Sequence, residues 1–226
     1  MVKPTKVKSS KRVPVTRERA VVSAIALADA DGLSALTMRN LAEALGVEAM
    51  SLYHHVANKE DLLDGMIDSV FSEIEIPPED VDWKAGMSRR SNSVRAVLLR
   101  HPWAIGVMES RTSPGPSILR HHDAVIGCLR NGGFSVPMTA HAFALVDSYV
   151  YGFVLQEVNL PFNDGDNVGE FVEEVVPQMS IGDYPHLIEL TVEHVMKPGY
   201  RFGDEFAFGL DLILDGLDRA ARSTKK

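Results

Sequence analysis

The stretch 37–55 constrains this chain more than any other. Two short apolar-periodic runs lie on either side of Gly46, with only Val47 and Glu48 between the glycine and the second run. Runs this short are not stable helices alone and need packing partners. The spacing predicts a helix from Thr37, whose hydroxyl is placed to cap it, with Leu41, Ala44 and Leu45 as its apolar side. Gly46 stops that helix, because glycine accepts the positive φ a bulkier residue resists. A second short helix is predicted from Ala49 to about Val56. Two helices at a steep angle around a turn of about 3–4 residues make a helix-turn-helix. The stretch before it supplies a support: Thr16 caps, Val21, Ala24, Ile25 and Ala28 follow at i, i+3, i+4 and i+7, and Gly32 ends the run.

Such a unit has a chemistry. Leu41, Leu45, Val47 and Leu52 are spaced to pack the helices together, which leaves Ala49, Met50, Ser51, Tyr53, His54 and His55 outward or at the rim. A helix of that kind fits the major groove of duplex DNA, while flanking groups hold phosphates. Arg39 has the fork for guanine O6 and N7, or for a phosphate. Thr37, Ser51 and Tyr53 carry hydroxyls for phosphate oxygens, and His54 and His55 donate to phosphates or bases. Ala49 and Met50 suit a thymine methyl. Lys59 adds charge at the positive end of the next helix. These nine residues are the candidate DNA-binding set.

The whole-chain charge of −8 points the other way until it is divided. Residues 1–60 hold nine Lys/Arg against six Asp/Glu, and residues 61–226 hold fourteen against twenty-five. The basic surplus sits with the helix-turn-helix, preceded by a polar, basic arm over 1–15 that is expected to be disordered.

The remainder also reads as helix. Asn58 caps a connecting helix over 59–76, with the stripe Leu62, Leu63, Met66, Ile67, Val70, Phe71 and Ile74. Helices are predicted over 83–100, 116–131, 138–158, 170–179, 184–196 and 203–222, with a loop over 161–169. The 138–158 helix is apolar almost all round, which predicts burial on most sides. The fold class is all-α. A three-helix DNA-binding domain over 16–60 is followed by a larger helical ligand-binding and dimerisation domain over 61–226. No apolar run approaches the roughly 20 residues of a membrane span, and no secretory signal is visible. A single cysteine, Cys128, excludes a disulfide framework. A cytoplasmic location is expected.

Ala26 to Gly32 (ALADADG), Thr37 to Gly46 (TMRNLAEALG) and Ser51 to Leu63 (SLYHHVANKEDLL) resemble the DNA-binding region of the TetR family, the tetracycline-repressor-like one-component regulators. Residues 130–157 are similar to the ligand-pocket and dimer helix of the tetracycline-repressor subgroup, after its Gly-Phe-Ser turn. The resemblance implies a homodimer on palindromic operator DNA, with repression relieved by a small-molecule effector. It implies pairing through the 138–158 and 203–222 helices, with the 59–76 helix as the lever. One departure is local. The subgroup's magnesium-binding histidine before the 116–131 helix is replaced by Glu109 in an ungapped alignment from Gly133. A ligand other than tetracycline is therefore expected, and no metal site or cofactor is assigned.

Trp103, Met108, Glu109, Arg111, His122, Ile126, Tyr149, Phe153 and Gln156 are the candidate effector-binding residues. They combine apolar walls with few polar groups, as ligand pockets do. Core packing explains many of the aromatics equally well. His121 and His122 are adjacent and diverge by about 100° on a helix, so they do not readily share an ion. His186, Glu189, Glu193 and His194 read as a solvated face. Asp164, Asp166 and Gly169 lack the acceptor pattern of a calcium loop. No nucleophile elbow, phosphate loop or dinucleotide fingerprint is present, so the chain is read as a regulator and not an enzyme. An all-α enzyme or carrier using a cavity over 100–160 is the alternative, and a DNA-binding protein without a ligand is a second.

Overall fold

The computed structural model describes residues 14–78, 80–108, 110–111, 113–160, 169 and 184–223. Among these no strand occurs. Two compact units divide between Ile67 and Asp68. The expected arm, Glu109, the 161–168 part of the loop and the 170–179 helix lie outside the described residues, apart from Pro14 and Val15.

In the first unit, α1 (Arg17–Asp31) starts where Thr16 accepts a hydrogen bond from the Arg19 amide. It buries Ala20, Val21, Ala24, Ile25 and Ala28. A short 3-10 turn, Leu33–Ala35, leads to α2 (Met38–Leu45). Thr37 caps α2 by accepting from the Asn40 amide at 3.1 Å. Gly46 ends it at φ 69°, and Val47 donates back to Ala42 O, the six-to-one bond that closes a helix of this type. The buried side of α2 is Leu41 and Ala42. Ala44 is exposed and Leu45 and Val47 are half-buried, because the 3.6-residue period aligns 38, 41, 42 and 45 and leaves 44 off that line.

Helix α3 (Ala49–Leu52) is one turn long, shorter than the sequence predicts. Beyond Leu52 the chain tightens: the His55 and Val56 amides both donate to Leu52 O, at 2.8 and 2.9 Å. Fully buried Leu52 and Val56 pin both ends of this tightened turn. Helix α4 (Lys59–Ser72) begins with Asn58 accepting from the Asp61 amide, while Asp61 accepts from the Ala57 amide and from Arg17. All seven stripe residues from Leu62 to Ile74 are buried.

The second unit takes up α4 from Asp68 and adds α5 (Trp83–Arg100), α6 (Trp103–Met108), α7 (Pro116–Asn131), α8 (Val136–Asn159), α9 (Pro185–Leu190, continued by a π turn to Val195) and α10 (Glu205–Ser223). Asp82 and Ser135 cap α5 and α8. Helix α6 is not anticipated from the sequence. Its six residues, WAIGVM, carry no polar period to mark a face.

Helix α8 packs on α5, α7 and α10 through Ala142, Val146, Val150, Phe153 and Val154. Burial on most sides is not what a single chain achieves. Leu145 is 47% exposed, and Leu155 is exposed along the same stripe. On α10, Phe208 and Leu212 are 67% and 55% exposed. The expectation that no apolar run reaches a membrane span's length is also corrected. By length and composition alone α8 is sufficient, with a third of its apolar window buried in the chain.

Candidate DNA-reading surface and effector site

The candidate DNA-binding side chains fall on one short piece of the first unit. Thr37, Arg39, Met50, Tyr53, His54, His55 and Lys59 are exposed, and Ala49 and Ser51 are half-buried. Met50 is 72% exposed and Tyr53 46%, although both would be core residues on composition alone. They are held out because Leu52 and Val56 take the inward positions. The Thr37 hydroxyl is already used as the α2 cap. Its remaining lone pair and its proton are what a phosphate would meet. The support is rigid: Arg17 on α1 donates to Asp61 on α4 at 2.8 Å, and the Asn40 side-chain amide donates to Ala35 O at 2.8 Å. Arg17 holds the Asp61 carboxyl below its ordinary range, chiefly by that hydrogen bond.

The candidate effector residues are distributed over several surroundings. Tyr149 and Phe153 belong to an aromatic cluster between α8 and α10, stacked on Phe206 and Phe202 at 5.6 and 4.7 Å. The Tyr149 hydroxyl donates to Phe206 O at 2.9 Å, and Arg95 lies 5.1 Å over the Phe206 ring. Arg95 is itself paired with Glu157. Gln156 is exposed, and Trp103, Met108 and Arg111 are half-buried. Ile126 lines an apolar groove of about 450 Å³ with Arg130, Val136, Thr139, Ala140 and Phe143. His122 stands edge-to-face between Phe71 and Phe143, at 6.1 and 5.3 Å. Burial pushes its pKa down. A second cavity of about 570 Å³ lies beside Pro77, Trp83, Cys128 and Asp218.

Sequence reasoning passes over the most unusual group. Arg90 on α5 is completely buried, flanked by His121 on α7 and Asp147 on α8. A signal for it exists. Arg90 continues the apolar stripe Met87, Val94, Val97 and Leu98, and His121 continues Ile118, Val125 and Leu129. A charged residue on an apolar stripe marks either a partnered core ion or a ligand contact. Among the described residues no group of three or more metal-ligating side chains assembles. His186 and His194 are exposed, each beside a glutamate.

One further contact joins helices of the second unit. Asp68 Oδ1, on the C-terminal part of α4, accepts from the Ser117 and Ile118 amides at 2.8 and 3.2 Å, and so caps α7 from 49 residues away. Gly115 makes this possible, since a Cβ there would lie 2.3 Å from Asp68 Oδ1.

A capped α2, a glycine turn and a one-turn α3 with its polar face outward define a helix-turn-helix DNA-binding regulator. Residues 21–66 match the family described as bacterial regulatory proteins, tetR family, and residues 76–221 match the tetracyclin repressor-like C-terminal domain. The chain belongs to the TetR family of transcriptional regulators, whose members pair such a DNA-binding domain with a ligand-binding C-terminal domain. It is 35% identical to the HTH-type transcriptional repressor DrrR1 of Streptomyces coeruleorubidus, over 90% of this chain and 77% of that protein. It is 28% identical to the class C tetracycline repressor protein of Escherichia coli, over 92% and 93%. Among solved structures, ActR of Streptomyces coelicolor in complex with actinorhodin matches with a TM-score of 0.75 and 29% identity, over 92% and 99%.

Proposed function

We propose that this protein is a homodimeric repressor that binds a palindromic operator through Thr37, Arg39, Ala49, Met50, Ser51, Tyr53, His54, His55 and Lys59, and leaves it when a small apolar or drug-like molecule enters the second unit. The observation that carries the reading is the exposed surface around α3, where an apolar Met50 and an aromatic Tyr53 stand outward beside two histidines and Arg39. The naming of DrrR1 as a repressor and the actinorhodin complex of ActR support the two halves of it.

Each copy has one reading surface, and two-fold pairing sets two of them on an inverted repeat. Leu145 and Leu155 on α8, with Phe208 and Leu212 on α10, form the apolar stripes that would pair as a four-helix interface. The reading surfaces then lie roughly 34–36 Å apart, one turn of DNA. An effector releases the operator only by preferring a conformer with the wrong separation. Helix α4 is the lever, and the Asp68 cap is where an effector bound near α7 gains a grip on it. A cytoplasmic location follows from the partner, and catalysis has no part in the mechanism.

Binding to a short duplex across a salt series tests the reading. A regulator that neutralises phosphates releases counterions, so log affinity falls linearly with log salt, with a slope of about −0.9 per phosphate. A slope near zero would remove the DNA partner.

A further inference from the structure

At the centre of the second unit, Arg90 has no contact with solvent. Its Nη1 donates to Asp147 Oδ1 at 2.5 Å, and its Nε donates to His121 Nε2 at 3.0 Å. An arginine Nε only donates, so Nε2 is the acceptor and the neutral ring carries its proton on Nδ1. Burial, and then Arg90, holds the His121 pKa at about 3, which keeps the ring neutral. Two buried donors remain without an acceptor: Arg90 Nη2 and His121 Nδ1. Native interiors leave few such groups unmet, and each needs an explanation.

The charge is already balanced. Asp147 neutralises Arg90, and His121 carries none. A ligand anion placed here would be buried without a counter-ion of its own, which is costly. A neutral oxygen acceptor carries no such penalty. The surroundings are aromatic: Phe71 meets His121 edge-on at 5.5 Å, and His122 stands between Phe71 and Phe143. We propose that the effector is a planar aromatic ketone whose neutral carbonyl oxygen accepts from Arg90 Nη2 and His121 Nδ1. This rests on the second unit being the effector-binding domain, and it adds the chemical class of the ligand. Arg90 and His121 would then set specificity, since a site with buried donors rejects an analogue that cannot satisfy them.

Fluorenone, fluorene and fluorene-9-carboxylate share one tricyclic frame and differ at one carbon. Equilibrium dialysis against the full-length protein measures all three. Fluorenone is expected to bind at least tenfold tighter than fluorene and tighter than the carboxylate. In His121→Phe the preference over fluorene should fall to threefold or less. That variant leaves Arg90 Nε unmet, so a second measurement stands beside it. In parent protein labelled with 15N-histidine, the His121 Nδ1–H resonance should shift with fluorenone and stay in place with fluorene. Equal binding of fluorenone and fluorene, tighter binding of the carboxylate, no binding of any probe, or an unmoved resonance overturns the proposal. Release of DNA is read separately with a chemically mixed compound set. Release without any fluorenone preference overturns the ketone and leaves the repressor standing. No release by any compound overturns the repressor reading itself.

Discussion

Arg39 and Tyr53 stand on neighbouring helices and would meet different parts of a duplex. Arg39 has the geometry for a bidentate base contact, so Arg39→Ala should weaken operator binding by about 1–3 kcal/mol and relax selectivity at one base pair. Tyr53→Phe removes a hydroxyl suited to phosphate and should weaken all sequences alike. Competition binding with single-base operator variants separates the two patterns. Deeper in the chain, the depressed pKa of His121 makes stability depend on pH. The unfolded chain takes up a proton below about 6.5 and the folded chain does not until about 3. Stability is therefore complete above about 6.5 and falls with pH below it, by up to about 1.4 kcal/mol per unit for this residue. His122, also depressed, works in the same direction. Urea unfolding at pH 7, 6 and 5 checks the sign, and a midpoint that rises on acidification would refute it. At this scale the sequence exposes the DNA-facing residues but hides Arg90. The outward set follows from helical period alone. A buried arginine is legible only once its partners on two other helices, distant in the chain, are known.

Elements with caps and stripes are the ones legible in advance. Thr16, Thr37 and Asn58 each announce a helix start, and the stripe from Leu62 to Ile74 is buried in full. What local sequence does not carry is tertiary. Helix α6 is apolar on all sides, and the end of α3 is tightened by the burial of Val56. The cap on α7 is the clearest case, because its acceptor lies on α4. Asp68→Ala should cost about 1 kcal/mol, the usual worth of a cap, while Asp68→Asn should keep most of it. Gly115→Ala drives a Cβ into the same carboxylate and should destabilise by a similar amount or more. Thermal unfolding of the three variants ranks them. If the cap also grips the lever, Asp68→Ala should bind operator as the parent does and respond less to effector.

Across the whole molecule the acidic and basic residues are segregated. The balance over 1–60 is positive and that over 61–226 strongly negative, so the charge pattern orients docking with the second unit kept off the phosphates. The exposed stripes of α8 and α10 are the other whole-molecule feature. An α8 apolar all round reads from sequence as core, and only the folded single chain shows which face stays uncovered. Phe208→Asp with Leu212→Asp should yield monomers by sedimentation and abolish tight operator binding, since one reading surface engages only half a site. The central claim is that paired α2–α3 surfaces read an inverted repeat. Selection of binding sites from random duplexes tests it most directly. The account predicts enrichment of a palindrome with half-sites about one helical turn apart, lost in the Phe208→Asp, Leu212→Asp protein. Enrichment of a sequence with no two-fold symmetry, or no enrichment at all, would contradict it.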